Sequence, residues 1–500
     1  MLGLIFLLSI SPIQDTLHLR VLSINDLHGA PSTRTYSFSE GRLVGGVAVL
    51  AATMDSAEAE CNCVTIRVAA GDLMQGTLQS NVVYGKSIIE ALNALELDVA
   101  AIGNHEFDWG VDSLKARMEE SRFPWLAANV FYTDTGERPE WARPYTILEA
   151  GGIRIGIVGY ITSSTPTIVR PIMVEGLSFV RGAESLADIL QEVRTAGVDF
   201  TIIVGHAATF CNDDRCGESI QLAEELSTEI VDLIVGGHDH RVAATEANGI
   251  PVVEAWSNGR AVGVVDLYKT RDGSVSHSMH IDTTYADAVQ PNPAVVAVMS
   301  EYESLIDSMA NRTITTLEHA LPRDGSQYAL GNLFADAIRA GTGADVGLTN
   351  NGGIRADLDA GTVTYGELFQ VHPFGNLLSR VTVTGAELIA TFEHSLMRGR
   401  PRVHISGATV TYDSERPAGE RVVEVRLSSG EVVDPAASYI LAVPDFVAQG
   451  GDGFPLSELP RETLNADVLD SIIALLQSDG SALADLDRPR MIDRVAPSLD

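Results

Sequence analysis

Five short segments carry residue types that can share one piece of chemistry. They are Asp26-Leu27-His28, Gly71-Asp72, Gly103-Asn104-His105-Glu106, Gly205-His206 and Gly237-His238-Asp239-His240. Each follows a short apolar run and sets Asp, Asn or His just past its end. Taken singly, Asp26 reads as an Asx-turn residue and His206 as a satisfied core histidine. Taken together, five polar ends in one register describe strand C-termini converging on cations. Carboxylate, amide and imidazole donors in this mixture suit Zn²⁺, Mn²⁺ or Fe rather than Ca²⁺. Asp26, His28, Asp72, Asn104, His206, His238 and His240 are more donors than one tetrahedral ion needs. Two divalent metal ions about 3.5–4 Å apart, bridged by one carboxylate, fit the count and support in-line attack on phosphorus. On an extended chain Asp26 and His28 face one side, as do His238 and His240, while Asp239 points away.

These segments need strands to position them. Leu17–Ile24, Val64–Ala69, Val99–Ile102, Ile153–Val158, Phe200–Val204 and Leu233–Val235 are short β-rich runs. Helical patterns alternate with them at Ser87–Leu97, Val111–Glu120, Ala183–Ala196 and Ser219–Leu226. Such alternation predicts a layered α/β domain, whose sites lie at strand C-termini. Pro291-Asn292-Pro293 breaks the pattern, and Ala294–Met309 reads as one connecting helix. Beyond it, helices at Leu330–Ala340 and Ala386–Leu396 and strands at Val346–Thr349, Ala408–Tyr412, Val422–Leu427 and Tyr439–Val443 predict a second α/β domain. The expected boundaries are 17–290, a linker at 291–315, and 316–495.

Composition narrows the partners. A chain of 500 residues with 45% hydrophobic content builds full cores in more than one domain. With 34 basic against 67 acidic residues and a net charge of −33, it has the wrong sign for a nucleic-acid polymer. Only Lys86, Lys115 and Lys269 are lysines, a bias that fits a salty habitat or an arginine-favouring genome equally. Leu2–Ile10 is apolar but too short to span a bilayer, and no later run is long enough for a transmembrane helix. Residues 1–16 resemble a secretory signal without a basic start or a clear cleavage site, which points weakly to a periplasmic or secreted protein. An even count of four Cys fits an oxidising compartment. Cys211 and Cys216 are spaced to close a small loop. The tight ring of a C-x-C disulfide favours Cys61 and Cys63 staying reduced, and a zinc site from all four is the weaker alternative.

The order D-x-H, G-D, G-N-H-E, H, G-H-x-H resembles the calcineurin-like metallophosphoesterases. Within them, the strings at 23–29 and 103–108 resemble the 5′-nucleotidase family, of the bacterial 5′-nucleotidase and UDP-sugar hydrolase type. Asn350-Asn351-Gly352-Gly353-Ile354-Arg355, His372-Pro373-Phe374-Gly375 and the segment 446–454 resemble that family's nucleotide-binding segments. The resemblance implies an N-terminal metallophosphoesterase β-sandwich flanked by helices, then a C-terminal α/β nucleotide-binding domain, joined by a linker helix. It assigns Asp26, His28, Asp72 and His240 to one metal. It assigns Asp72, Asn104, His206 and His238 to the other, with Asp72 bridging. It makes His105 and Asp108 a catalytic dyad. Asn350, Gly352, Arg355, Phe374, Phe446 and Asp452 would bind the nucleotide: Arg355 the phosphate, the two Phe the base, Asp452 the ribose. Glu106 would support the metal ligands from behind, and His18 and His394 read as ordinary. Family members rotate the second domain, and helix 294–309 is where a hinge is expected.

One departure stands out. The family carries one or two Arg before the helix that starts near Leu330, where this chain has Arg323-Asp324-Gly325-Ser326. Either Arg323 swings in or fewer cations hold the anion. The expected activity is hydrolysis of nucleoside 5′-phosphates. A UDP-sugar hydrolase or 2′,3′-cyclic nucleotide phosphodiesterase is the alternative, a thiosulfohydrolase is disfavoured by the two Phe, and a non-catalytic nucleotide receptor by the full ligand set.

Overall fold

A computed structural model describes residues 16–211, 216–478 and 485–495. The possible signal segment, but for residue 16, lies outside the described residues. Two six-stranded sheets face each other in the first half of the chain. One orders Val275–Thr283, Ala261–Thr270, Thr16–Ile24, Val64–Ala69, Val99–Ala101 and Trp125–Leu126. The other orders Val242–Ala247, Ile250–Ala255, Leu233–Val235, Phe200–His206, Ile153–Ile161 and Tyr145–Ala150. Leu19, Val21, Ile66 and Val68 of the first sheet pack on Ile155, Ile157, Phe200 and Ile202 of the second. Helices pack on the outer faces, so central strands such as Val99–Ala101, Phe200–His206 and Leu233–Val235 are buried on both sides, while the edge strands Val242–Ala247 and Val275–Thr283 stay partly exposed. Parallel pairing of 16–24, 64–69 and 99–101, and of 153–161, 200–206 and 233–235, brings their C-terminal ends to one rim.

The helix Pro293–Ala310 follows, with Asn292 capping it by accepting from the Ala294 and Val295 amides. Pro293 suits the first turn, where no intrahelical N–H bond is lost. Gln79 Nε2 donates to the Met299 carbonyl, pinning this helix to the first domain. A five-stranded sheet then orders Val403–Ser406, Val346–Asn350, Ser438–Pro444, Leu377–Thr384 and Arg461–Asp467. Helices Ala329–Thr342 and Val468–Leu476 bury one of its faces, and Gly385–Ser395 the other. The helices Tyr365–Val371 and Gly385–Ser395 both start in capping boxes, at Thr364 with Glu367 and at Thr384 with Glu387. The expected two-domain α/β architecture with a linking helix is the one observed.

Both cysteine pairs are disulfides, Cys61–Cys63 and Cys211–Cys216. The expectation that Cys61 and Cys63 stay reduced is therefore corrected. The chain bends at residues 62–63 and brings their Cα atoms to 5.2 Å, inside disulfide range.

Candidate functional site

All seven expected metal ligands meet at the rim of the sandwich. Asp26, His28 and His240 place one donor atom each within 4.8 Å of one another, and Asp72, His206 and His238 do the same. Asn104 joins the second group through Oδ1, 3.1 Å from His206 Nε2. His206 Nε2 also lies 3.0 Å from Asp72 Oδ2 and 3.2 Å from His238 Nδ1. In the first group, His28 Nε2 and His240 Nε2 face each other at 2.9 Å, with Asp26 Oδ1 3.2 Å from His240. Asp72 Oδ2, 4.0 Å from His28 Nε2, stands between the two groups.

The reason these donors converge is not the one read from strand alternation. Asp26, His28, Asp72, His238 and His240 have φ of 49°, 50°, 52°, 87° and 55°. They are left-handed, not extended, so D-x-H and H-x-H converge through tight turns. Such backbone costs about 1–3 kcal/mol per residue and persists where its surroundings over-determine it. Here the surroundings are backbone bonds between loops. The amides of Asp26, His28 and Gly29 donate to the carbonyls of Gly71, Asp72 and Leu73 at 3.0, 3.0 and 2.9 Å. Gly71 and Gly103 let the loops meet. A Cβ on Gly103 would lie 2.3 Å from Asp72 Oδ1, and one on Gly71 2.7 Å from the Gly103 nitrogen.

Glu106 supports this packing as expected, accepting from the amides of Asp72, Leu73 and Gly103 at 2.8, 2.8 and 2.7 Å. Burial, then the Asp72 carboxylate, raises its pKa. Asp239 turns away from the donors and accepts from the Phe210 amide at 2.9 Å. The far ring nitrogens of His28 and His206 sit 3.0 and 2.8 Å from the carbonyls of Gln75 and Ala70. That fixes each tautomer with Nε2 turned inward, as metal-binding imidazoles require. Burial pushes His206 down, but Asp72 and Asp26 outweigh it and lift it to about 10. Burial, then His206, lowers His238 to about 4.

These residues fit divalent cations. Asp26 Oδ1 is fully buried and accepts no hydrogen bond, and two imidazole nitrogens point at each other beside it. A cation among them satisfies all three atoms, which no protein donor here does.

His105 Nδ1 lies 2.8 Å from Asp108 Oδ2, and the His105 amide donates to Asp72 Oδ1 at 2.8 Å. The expected dyad is thus a hydrogen-bonded pair at the edge of the donor cluster. Burial lowers His105, but Asp108 and then Asp72 outweigh it and raise its pKa.

The second domain closes over this edge. A cavity of about 190 Å³ is lined by Asn104, His105, Asp108 and His238 from the first domain. Asn350, Gly352, Arg355, Phe374, Phe446 and Asp452 line it from the second. All six expected substrate residues are therefore brought together. Phe374 lies 5.8 Å from the His105 ring, and Arg355 stands 5.8 Å over Phe374. Asn350 Nδ2 donates to Asp452 Oδ2 at 2.7 Å. Burial lowers the Arg355 pKa, opposed by Asp72.

Several residues escaped the sequence reading. Arg170 lines the cavity, donates to the Asp108 carbonyl at 3.2 Å and stands 4.0 Å from Asp445. Gln75 and Asn81 donate to the Pro373 carbonyl at 3.1 and 2.7 Å, joining the two domains. His394 is a satisfied histidine outside the cavity lining: its Nε2 lies 2.9 Å from the Asp452 carbonyl and its ring packs on Phe454 at 4.7 Å. No local signal marks these residues, because their partners lie far off in the chain. Arg323 does not swing in. It bonds Asp357 Oδ1 and the Ile354 carbonyl, and it does not line the cavity.

Comparison with known proteins identifies both domains. Residues 19–242 match the calcineurin-like phosphoesterase model, and residues 310–458 match the 5′-nucleotidase C-terminal domain model. The chain belongs to the 5′-nucleotidase family. The endonuclease YhcR of Bacillus subtilis is 30% identical over 87% of this chain and 37% of its own length. The cell wall protein Lmo0130 of Listeria monocytogenes is 28% identical over 88% of this chain and 64% of its length. This chain thus spans less than two thirds of either relative. The crystal structure of a 5′-nucleotidase precursor from Thermus thermophilus superposes with a TM-score of 0.84 at 26% identity. That match covers 96% of this chain and 100% of the other.

Proposed function

We propose that this chain hydrolyses nucleoside 5′-phosphates to nucleoside and phosphate, using two divalent cations. The observation that carries this reading is the shared cavity. One wall holds the donor cluster and His105, and the other holds two aromatic rings, a cation and a carboxylate. Asp26, His28, Asp72 and His240 would hold one ion, and Asp72, Asn104, His206 and His238 the other. When bound, such a pair neutralises phosphoryl charge and lowers the pKa of water toward neutrality.

The chain's own residues do the rest. Asp108 holds His105 Nδ1, which leaves Nε2 to donate toward the phosphoryl group or the leaving oxygen. Arg355 neutralises the phosphate from the second domain. Phe374 and Phe446 stack the base, which contributes about 1–3 kcal/mol and tolerates different bases. Asp452, with one oxygen held by Asn350, accepts from a ribose hydroxyl.

A nucleotide sugar or 2′,3′-cyclic nucleotide is the second reading. It is favoured by Ser326 and Asp324 standing where the family has Arg, with Arg323 tied to Asp357. We place the domains at 17–290 and 316–495 with a linker at 291–315, and the protein outside the cytoplasm. The cell wall relative supports that location, and among the described residues no helix is long and apolar enough to cross a membrane. The deciding experiment reconstitutes the protein with Mn²⁺ or Zn²⁺ and measures phosphate release from monoesters, cyclic nucleotides and nucleotide sugars. Fastest turnover of 5′-monophosphates is expected. No release from any substrate, with no metal bound, would instead indicate a receptor.

A further inference from the structure

At the opposite end of the first sheet stands a second donor cluster that the hydrolytic site does not use. His18, Cys61, Cys63 and Asp266 place one ligand atom each within 4.8 Å of one another. His18 lies six residues before the end of its strand at Ile24, so the cluster is about 20 Å from that rim at ~3.3 Å per residue. We propose that these four residues form a redox-gated metal site. It takes a thiophilic divalent cation such as Zn²⁺ once the Cys61–Cys63 disulfide is reduced.

The framework around the cluster is built. His18 Nε2 lies 2.8 Å from Asp266 Oδ1 and 3.9 Å from Cys61 Sγ. Around a tetrahedral ion with bonds of about 2.0–2.3 Å, donors stand roughly 3.3–3.8 Å apart. These two spacings bracket that range, and the two bonded sulfurs reach it once the disulfide opens. Arg20 grips Asp266 through Nε and a terminal nitrogen at 2.9 and 2.8 Å, and a further Arg20 nitrogen donates to the Ala57 carbonyl at 2.8 Å. The carboxylate is thereby oriented, and the helix leading to Cys61 is tied to the same strand. The Cys61 amide donates to the Glu58 carbonyl at 3.0 Å, which holds the start of the cysteine loop. His18 stacks on Tyr268, its cross-strand partner, at 4.3 Å. Asp266 is buried while His18 and both cysteines are half-buried, so an ion and a reductant reach the sulfurs.

The donor chemistry separates the two centres. Oxygen and imidazole at the rim accept Mn²⁺ or Zn²⁺ alike, whereas two thiolates select the softer ion. Disulfide and ion are alternatives, because both use the same sulfurs. A dithiol reductant passes two electrons and two protons to the Cys61–Cys63 bond and itself becomes a disulfide. The two thiols then lose two protons to solvent as their sulfurs ligate the ion. The cross-link changes from one inside the loop to one that fastens the loop to the strands carrying His18 and Asp266.

The test uses the full chain, oxidised or reduced, titrated with Zn²⁺ and separately with Co²⁺. The reduced protein should bind one more equivalent of Zn²⁺ than the oxidised protein. With Co²⁺ it should show a thiolate-to-metal charge-transfer band, which the sulfur-free rim cannot produce. Cys211→Ser/Cys216→Ser should keep the band and Cys63→Ser should abolish it. Arg20→Met, which frees Asp266, should weaken Zn²⁺ binding about 10- to 100-fold. Equal Zn²⁺ stoichiometry in the two redox states overturns the proposal, and that comparison needs no variant to fold. A band that survives Cys63→Ser but not Cys211→Ser/Cys216→Ser overturns it as well.

Discussion

The two walls of the cavity are built in different ways. On the metal-donor wall, loops from five strands are zipped by backbone bonds, and several donors sit on left-handed backbone. Donor-bearing loops there are held by their neighbours. The facing wall relies on a few side chains of one domain, Phe374, Phe446, Arg355 and the Asn350–Asp452 pair. It meets the other wall through few contacts, such as the Pro373 carbonyl and Arg170. On the proposed function the first wall would set the reaction and the second, sparser wall the substrate. Rate should therefore be lost on the first wall and affinity on the second.

The sharpest way to break this contrast is at Asp72. Asp72→Asn keeps a residue that tolerates a φ of 52° but removes the carboxylate that stands between the two donor groups. It should lower kcat by about 10⁴-fold, since several kcal/mol at about 1.4 kcal/mol per decade are at stake. Metal content measured beside the rate should fall too. His105→Ala should lower kcat by about 10³-fold with KM little changed; an unaltered rate would remove the dyad. On the other wall, Phe446→Ala should raise KM about 10- to 100-fold and leave kcat within a few-fold. A collapse of kcat there would erase the distinction between the walls. Arg170→Met should raise KM about threefold, less at high salt, because its contact with Asp445 is long and partly solvated.

The smallest effect concerns pH and stability. Burial, then the facing Asp239 carboxylate, holds the Glu254 carboxyl well above its ordinary value of 4.5. A raised carboxyl favours the protonated form in the folded protein. Its contribution is complete below about pH 4.5 and is lost as pH rises through the raised value. The Tm of the unaltered protein should therefore fall more steeply toward alkaline pH than that of Glu254→Gln, by a few degrees in calorimetry. Parallel curves would refute this reading of Glu254.

Much of the fold and the site was legible in the chain. Leu233–Val235 is legible to the residue, because a doubly buried parallel strand is apolar throughout, and Val64–Ala69 is legible from its β-branched and apolar residues despite Thr65 and Arg67. Phe200–Val204 extends to His206, since the polar ligand is the strand's own last residue. The edge strand Val242–Ala247 was not read, as one exposed side leaves no continuous apolar run. Arg170, which reaches the cavity, is not legible, because a residue that acts on a distant loop carries no spacing signal.

The sequence by itself determined which donor-type residues end the strands and the two-domain order, because ligand chemistry and buried strands restrict residue type locally; the aromatic pair came only with the family resemblance. Only the tertiary structure decided how the donors converge, through left-handed turns and not extended strands. It alone showed that Arg323 is engaged elsewhere while Arg170 reaches the cavity. It alone gathered His18, Asp266 and the two cysteines into one cluster. Those outcomes depend on which loops touch, and contact between segments hundreds of residues apart is settled by packing.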